Sequence, residues 1–375
     1  MNILNARVFT PEGVFVRRDI HTDGERFCAA PCGPDFQAGG LTAIPGLIDT
    51  HLHGAVGCDF MDASHASLSA MARFEAACGV TTLCPATMTM GEEDILAACR
   101  CAAAFVPGED EAALAGIYME GPFVAHSRLG AQHPAYVRPP SAELFRRAQQ
   151  AAGGLIRVLA LAPETDPQLS VLRTLSGEVT ISIAHTDCGY ELAAAALAGG
   201  ARRLTHTYNA MPGIHHRSPG PILAAMDDPQ CMAEIICDGI HVHPAAVRAA
   251  FRLFGADRMI LISDSMMAAG LEDGRYTLGG QEVSVSGGRA LLPSGSLAGS
   301  TATLLTCLQR CVRDMELPPE QAVAAATCNP ARSLGLEGQL GCISPGARAD
   351  LLLLDEDFGL RGVMLRGRWL EQCHP

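Results

Sequence analysis

The sequence predicts an α/β protein: a (β/α)8 TIM-type barrel with a small β-sandwich domain formed by both termini. Three observations predict it. From residue 44 onward, eight short apolar runs alternate with Ala-rich stretches of helical character, the pattern of a parallel sheet. The C-terminal ends of those runs carry His, Glu and Asp, and barrel active sites form at that face. The first forty residues and the tail break the alternation and read as short β segments between turns.

In chain order, residues 1–6, 14–16 and 21–23 look like short strands, with turns at Pro11-Glu12-Gly13 and Asp23-Gly24. The barrel runs are 43–48, 80–85, 114–119, 156–161, 179–184, 203–205, 233–237 and 259–262. Helices are predicted between them over 68–78, 92–105, 142–152, 190–198 and 245–254. Residues 276–292, with Gly279-Gly280 and Gly287-Gly288, read as a hairpin after the last run. Strand-like residues 349–354 and 363–365, with turns at Pro345-Gly346 and Arg366-Gly367, mirror the N-terminal pattern. The expected division is 1–43 with 343–375 as the small β domain and 44–342 as the barrel.

Composition narrows the function classes. Hydrophobic residues at 48% support a sizeable core, and a net charge of −13 argues against nucleic-acid or anionic-membrane partners, which require basic patches. An acidic chain that binds an anionic substrate must do so with a few placed cations. The N-terminal residues lack the basic and long apolar regions of a signal peptide. The 15 cysteines form no CxxC pair, although Cys28/Cys32 and Cys307/Cys311 are spaced four apart. Reduced thiols in a cytoplasmic protein are expected.

The most informative stretch is Pro45-Gly46-Leu47-Ile48-Asp49-Thr50-His51-Leu52-His53-Gly54. Residues two apart on a strand share a face, so His51 and His53 aim two imidazoles at one point. Neutral imidazole suits zinc, iron and similar divalent ions. Further strand ends carry Thr87, Glu120, Glu164, His185, His206, Asp238 with His241, and Asp264. Charged groups at the ends of buried strands must meet a metal or each other.

The chain resembles the amidohydrolase superfamily, and within it the N-acetylglucosamine-6-phosphate deacetylases. The matching stretches are PGLIDTHLHG at 45–54, MEGPF at 119–123, AHT at 184–186, THTYNAM at 205–211, CDGIHVHP at 237–244, LISDS at 261–265, SLAGS at 296–300 and ISPGARADLLLLD at 343–355. They cover nearly the whole chain in order. The resemblance implies that Glu120, His185 and His206 form a principal metal site, that Asp264 is the catalytic acid/base, and that Ala131, Gln132, Asn209, Ala210, Arg217, His241, Leu297, Ala298 and Gly299 contact substrate. Some family members lack the first-strand HxH and bind one metal; here His51 and His53 are present, so one or two divalent ions per chain are expected, zinc first, with iron, cobalt or manganese as alternatives. A homodimer with a phosphate pocket completed across its interface is also implied.

Two positions depart from the family pattern. Tyr118 stands where the family commonly has His, and Gly130-Ala131 is followed by Gln132 and then His133 where a substrate-touching His is common. The Gln132 amide can donate a hydrogen bond, or His133 can substitute.

The residues themselves support this chemistry. Amide hydrolysis needs an activated water, a stabilised oxyanion and a proton for the leaving amine, and a metal with Asp264 beside it supplies all three. Arg217 offers bidentate recognition of a phosphate. By spacing, His241 and His243 repeat the HxH pattern; His241 is read as a substrate contact and His243 as a core or supporting group. Glu164 is a candidate support. The leading expectation is hydrolysis of the acetamide of N-acetylglucosamine 6-phosphate. The galactosamine epimer and a catalytically silent sugar-phosphate-binding protein are the alternatives.

Overall fold

A computed structural model describes residues 1–370. Eight parallel strands follow one another in sequence order: β1 (Leu47–Leu52), β2 (Val80–Pro85), β3 (Ile117–Met119), β4 (Ile156–Leu161), β5 (Thr180–Ile183), β6 (Ala201–Leu204), β7 (Met232–Ile236) and β8 (Met259–Ile262). Parallel ladders join β1 to β2 and run unbroken from β3 to β8. A bridge between Ala86 and Tyr118 links β2 to β3. Two bonds tie the last strand back to the first: Asp264 N to His51 O at 3.0 Å, and His53 N to Ser265 O at 2.8 Å. All six positions of β1 and of β2 are buried, because parallel strands are covered on both faces.

The connecting helices explain the Ala-rich stretches. They include α1 (His65–Ala77), α2 (Glu92–Ala104), α3 (Ala142–Ala151), α4 (Ser170–Leu175), α5 (Tyr190–Ala198), α6 (Gly220–Asp227), α7 (Pro244–Phe254) and α8 (Leu304–Arg313). Ser64, Ser141 and Thr303 cap α1, α3 and α8 by accepting from a backbone N–H three residues on. Small Ala faces let helices lie close to the sheet, and one continuous apolar cluster fills that layer. Inside the barrel, Ile48, Cys84, Tyr118, Val158, Ala160 and Ala184 form a separate plug, which closes the floor beneath the strand ends.

Both chain ends join one mixed eight-stranded sheet. Its order is Arg368–Trp369, Leu360–Leu365, Leu351–Leu354, Thr42–Pro45, Asn2–Phe9, Phe15–Asp23 and Arg26–Cys28, with Asp35–Gln37 paired to Asn2–Phe9. Ile3, Val8, Ile20, Phe27, Leu351 and Leu353 give it a core of its own. Residues 371–375 of the expected domain lie outside the described residues.

Four expected elements differ. Residues 14–16 and 21–23 are not two strands: one strand, Phe15–Asp23, runs through both. The run 43–48 is not one strand: Thr42–Pro45 belongs to the terminal sheet and β1 begins at Leu47. The chain changes partner at Gly46, whose N–H bonds to Asp350 O at 3.0 Å while Leu47 N bonds to Gly79 O at 3.1 Å. A Cβ at Gly46 would strike the Thr81 side chain. The run 114–119 likewise divides into Ala113–Leu114 and β3. Finally, the excursion after β8 is a four-stranded antiparallel sheet, not a hairpin; its last strand, Leu297–Ser300, returns to bridge Ser265. Uniform hydrophobicity conceals such changes of partner, because both partners demand apolar residues.

One buried group opposes folding. Glu75 on α1 is fully buried and both its oxygens lack a hydrogen-bond partner among the described residues. Burial, with the Asp49 carboxyl nearby, pushes it from its ordinary 4.5 up to about 8. Between those values the folded state holds a proton that the unfolded chain releases, so stability falls as pH rises across the window. Glu75→Gln should therefore match the parent near pH 5 and exceed it near pH 8.5 by several kcal/mol, on the order of 4. Urea unfolding at both pH values measures this, and an equal gap at both would refute it.

Candidate metal centre

The strand ends deliver their side chains to one point. His51 lies in β1 and His53 just past it, so alternation turns both inward. His185, His206 and Asp264 follow β5, β6 and β8 with φ of 44°, 26° and 48°. That left-handed conformation is strained for such residues, and strain of this kind concentrates at functional sites. Glu120 follows β3 and is almost wholly buried.

Each of the four histidines has one ring nitrogen committed to a neighbouring oxygen. His185 Nδ1 donates to Arg128 O at 2.9 Å, His206 Nδ1 to Asn209 O at 3.1 Å, and His53 Nδ1 to Ala86 O at 3.3 Å. His51 Nδ1 donates to Glu234 Oε2 at 3.2 Å. Such partners fix ring orientation and leave the opposite nitrogen bare, as metal-ligating imidazoles require. The bare Nε2 atoms converge on Glu120. Oε1 lies 3.1 Å from His185, 3.2 Å from His206 and 3.6 Å from His51, and Oε2 lies 3.2 Å from His53. Asp264 Oδ1 is 3.2 Å from His53 Nε2 and 3.6 Å from that of His51.

Two ligand sets therefore share Glu120: Glu120, His185 and His206, and His51, His53 and Glu120. A metal fits them on two observations. His51 Nε2 is buried with no hydrogen-bond partner, and the Nε2 atoms of His185 and His206 face each other at 3.2 Å. Two bare nitrogens repel at that distance unless a cation or proton lies between them. Electrostatics agree. Burial raises the Glu120 and Asp264 carboxyls, but the imidazoles hold Glu120 well below, and Asp264 below, the usual carboxylate range. Burial disfavours the His53 imidazolium, yet Asp264 and Glu120 push that ring up to about 9. The carboxylates thus make the site attractive to positive charge.

Sequence reading did not find the layer beneath. Glu234 in β7 pairs with Arg203 of β6 at 3.0 Å, both fully buried. The pair holds Glu234 where its other oxygen accepts from His51. Tyr118 stacks on His51 with centroids 4.2 Å apart, and its hydroxyl meets Thr205 Oγ1 at 2.8 Å. The available signal was a charge inside each of two buried apolar strands.

A cavity of about 330 Å³ opens over the centre. Ala131, Gln132, Asn209, Ala210, His241, Leu297 and Gly299 line it with His53, Glu120, His185, His206 and Asp264, as do Met88, Tyr208 and Leu278, which sequence reading missed; His51 lies beneath, fully buried. Gln132 is the buried departure: its Nε2 donates to Glu120 Oε2 at 2.9 Å and its Oε1 accepts from Thr89 N at 2.7 Å. His133 instead turns to its own loop, accepting from Ala135 N. His241 Nδ1 is held by Asp238 at 2.7 Å. Glu164 grips Thr186 and the backbone of Asp187, next to His185.

Three expected positions lie elsewhere. Ala298 is not a cavity residue: it is fully buried in the apolar cluster of the excursion sheet, because alternation along Leu297–Ser300 turns it away. Arg217 is exposed on the loop before α6, with its guanidinium at His216. His243 is neither core nor support for the centre; it is exposed and caps α7.

The chain matches the model of the amidohydrolase family over residues 42–370. It is 40% identical over 349 residues to an N-acetylglucosamine-6-phosphate deacetylase of Vibrio furnissii, covering 92% of this chain and 86% of that protein. It is 36% identical over 326 residues to an N-acetylgalactosamine-6-phosphate deacetylase of Escherichia coli, covering 86% of each. The solved structure of a mutant N-acetyl-D-glucosamine-6-phosphate deacetylase of Mycobacterium smegmatis, in complex with N-acetyl-D-glucosamine-6-phosphate, superposes with a TM-score of 0.92 at 34% identity over 98% of both chains. The four imidazoles gathered on one glutamate at the strand ends are thus found in a chain that belongs to the amidohydrolase family.

Proposed function

We propose that the protein hydrolyses the acetamide of N-acetylglucosamine 6-phosphate to glucosamine 6-phosphate and acetate. The observation that carries this reading is Asp264 facing the Glu120-centred ligands across one cavity, in a chain 40% identical to a deacetylase of that name. The 36% identity to the galactosamine counterpart keeps that epimer as a second substrate to test. A silent binding protein is disfavoured by the intact Glu120, His185, His206 and Asp264. Incubating the protein with each acetylated sugar phosphate and assaying free amine decides among the three.

A divalent ion, zinc by preference, would be held by Glu120, His185 and His206, with a second at His51, His53 and Glu120, and would supply an acidified water and polarise the acetamide carbonyl. Asp264 takes the proton from the attacking water and returns it to the departing amine. Gln132 holds Glu120 in place, and its second amide hydrogen, directed at Met88 Sδ in the cavity wall, exchanges that weak contact for the acetamide when substrate binds. His241, oriented by Asp238, addresses a sugar or acetamide oxygen. Asn209, Ala210, Leu297 and Gly299 shape the wall. Arg217 binds the phosphate. Its exposed place outside the cavity lining supports a homodimer in which it serves the neighbouring subunit's site.

The same reading takes the chain as a cytoplasmic enzyme of amino-sugar breakdown, built as a small β-sandwich domain, 1–43 with 343–375, and a hydrolase barrel, 44–342. No helix among the described residues is long and apolar enough to cross a membrane.

Protein prepared without chelators should contain one or two divalent ions per chain, and Glu120→Ala should lose ion and turnover together. Metal-free native protein that added zinc or iron leaves inert would overturn the metallohydrolase reading. Asp264→Asn keeps the shape but removes the base. Its kcat should fall about 10²- to 10⁴-fold with the ion at Glu120, His185 and His206 retained, so near-normal turnover would sink the role. Arg217→Ala should lower kcat/KM about ten- to a hundredfold for phosphorylated substrate and little for unphosphorylated. Mixing Asp264→Asn with Arg217→Ala should restore activity after subunit exchange; no recovery despite demonstrated exchange would mean that Arg217 acts within its own chain or not at all.

A further inference from the structure

Cys28 and Cys32, at the two ends of a loop in the terminal sheet, have no part in the catalytic cavity. Both are free, half-buried thiols, and their sulfurs lie 3.2 Å apart. Residues 29–31 between them are exposed. Each thiol is aimed by a second contact. Cys28 Sγ donates to Ala30 O and Cys32 Sγ to Thr22 O, both at 3.2 Å.

The backbone around the pair is fixed as well. Cys28 is paired with His21 in the antiparallel ladder. Cys32 N donates to Asn2 Oδ1 at 2.9 Å, and Cys32 O accepts from Met1 N at 2.7 Å. The sulfur contact is therefore built on both sides by hydrogen-bonded backbone. Another close set of thiols, Cys237, Cys307 and Cys311, is fully buried in the barrel wall, where an oxidant does not reach. Accessibility and proximity coincide at Cys28 and Cys32.

We propose that Cys28 and Cys32 are a modification site: a dithiol that a small disulfide, of the glutathione disulfide class, converts reversibly to an intramolecular disulfide. One cysteine loses its proton and attacks a sulfur of the incoming disulfide, forming a mixed disulfide and releasing one reduced thiol. The second cysteine loses its proton and displaces the other half as a second reduced thiol. Two protein thiols become one disulfide, and two electrons and two protons leave on the oxidant. The sulfurs need to close by roughly 1 Å to reach bonding distance near 2.05 Å. The bond would clamp the loop that holds Asn2–Phe9, a strand inside the terminal sheet. The catalytic cavity is on another part of the molecule, so turnover should not change.

The test uses reduced full-length protein treated with glutathione disulfide, then N-ethylmaleimide, then mass spectrometry with peptide mapping. The parent should take up two fewer maleimides, with the bridge between Cys28 and Cys32 and reversal by dithiothreitol. Cys28→Ser should instead retain one glutathione on Cys32, and Cys32→Ser one on Cys28. Oxidised parent should melt about 2–4 °C above reduced parent, and both single variants should lack that rise. Three results would overturn the proposal: full maleimide labelling of both cysteines after oxidation, a stable glutathione adduct on the parent, or a bridge from either cysteine to a different one.

Discussion

Glu120 is the residue on which the site is assembled. Its two oxygens lie within 3.6 Å of the bare nitrogens of four imidazoles. These come from β1, β5 and β6, which are not adjacent as a set, so the barrel must be complete for them to meet. Concentrating four donors on one buried carboxylate is costly unless positive charge sits among them. The fold bears that cost because the outer nitrogen of each ring is already anchored. Three anchors are backbone carbonyls and the fourth is the Glu234 carboxyl.

The fourth anchor explains an otherwise uneconomical layer. A charged pair fully inside a barrel contributes little net stability. Arg203 and Glu234 nevertheless sit under the centre with no exposure to solvent. Their use is orientational: Arg203 holds the Glu234 carboxyl in place, Glu234 accepts from His51 Nδ1, and Tyr118 stacks on the His51 ring. The departure from His to Tyr at 118 places an aromatic face and one hydroxyl in this layer, not in the cavity, so it concerns the ligand's posture and not substrate contact.

Most of the barrel was legible in the sequence because parallel strands are written as continuous apolar runs, and β2, β4 and β8 were read to the residue. The ligands were legible for the complementary reason that His, Glu and Asp at the ends of such runs are conspicuous. Three kinds of information were not. A change of partner, as at Gly46, leaves hydrophobicity unaltered. Contacts between residues far apart in sequence, such as His51 with Glu234, have no local signature. The direction of a side chain on a short returning strand depends on its phase, which placed Leu297 and Gly299 on the cavity wall and Ala298 behind it. Gln132 was identified by position, but its bond to Glu120 required the fold.

The change of partner at Gly46 has a consequence for how this chain can vary in length. The strand Thr42–Pro45 is locked between two neighbours in the terminal sheet, and β1 follows after a single residue. Slack sits immediately after that seam: the ladder of β1 with β2 shifts register between Leu47 and Ile48 and again between Asp49 and Leu52. These irregularities let Ile48 join the plug inside the barrel and His51, three residues on, turn inward as well. The rigid spacing lies one step further, where His51 and His53 share a face through the period-two alternation of the strand. A residue added or lost at Leu52 would send one imidazole to the helix layer and leave Glu120 with one donor fewer. Length can thus change near the seam, where a bulge absorbs it, but not between the two histidines.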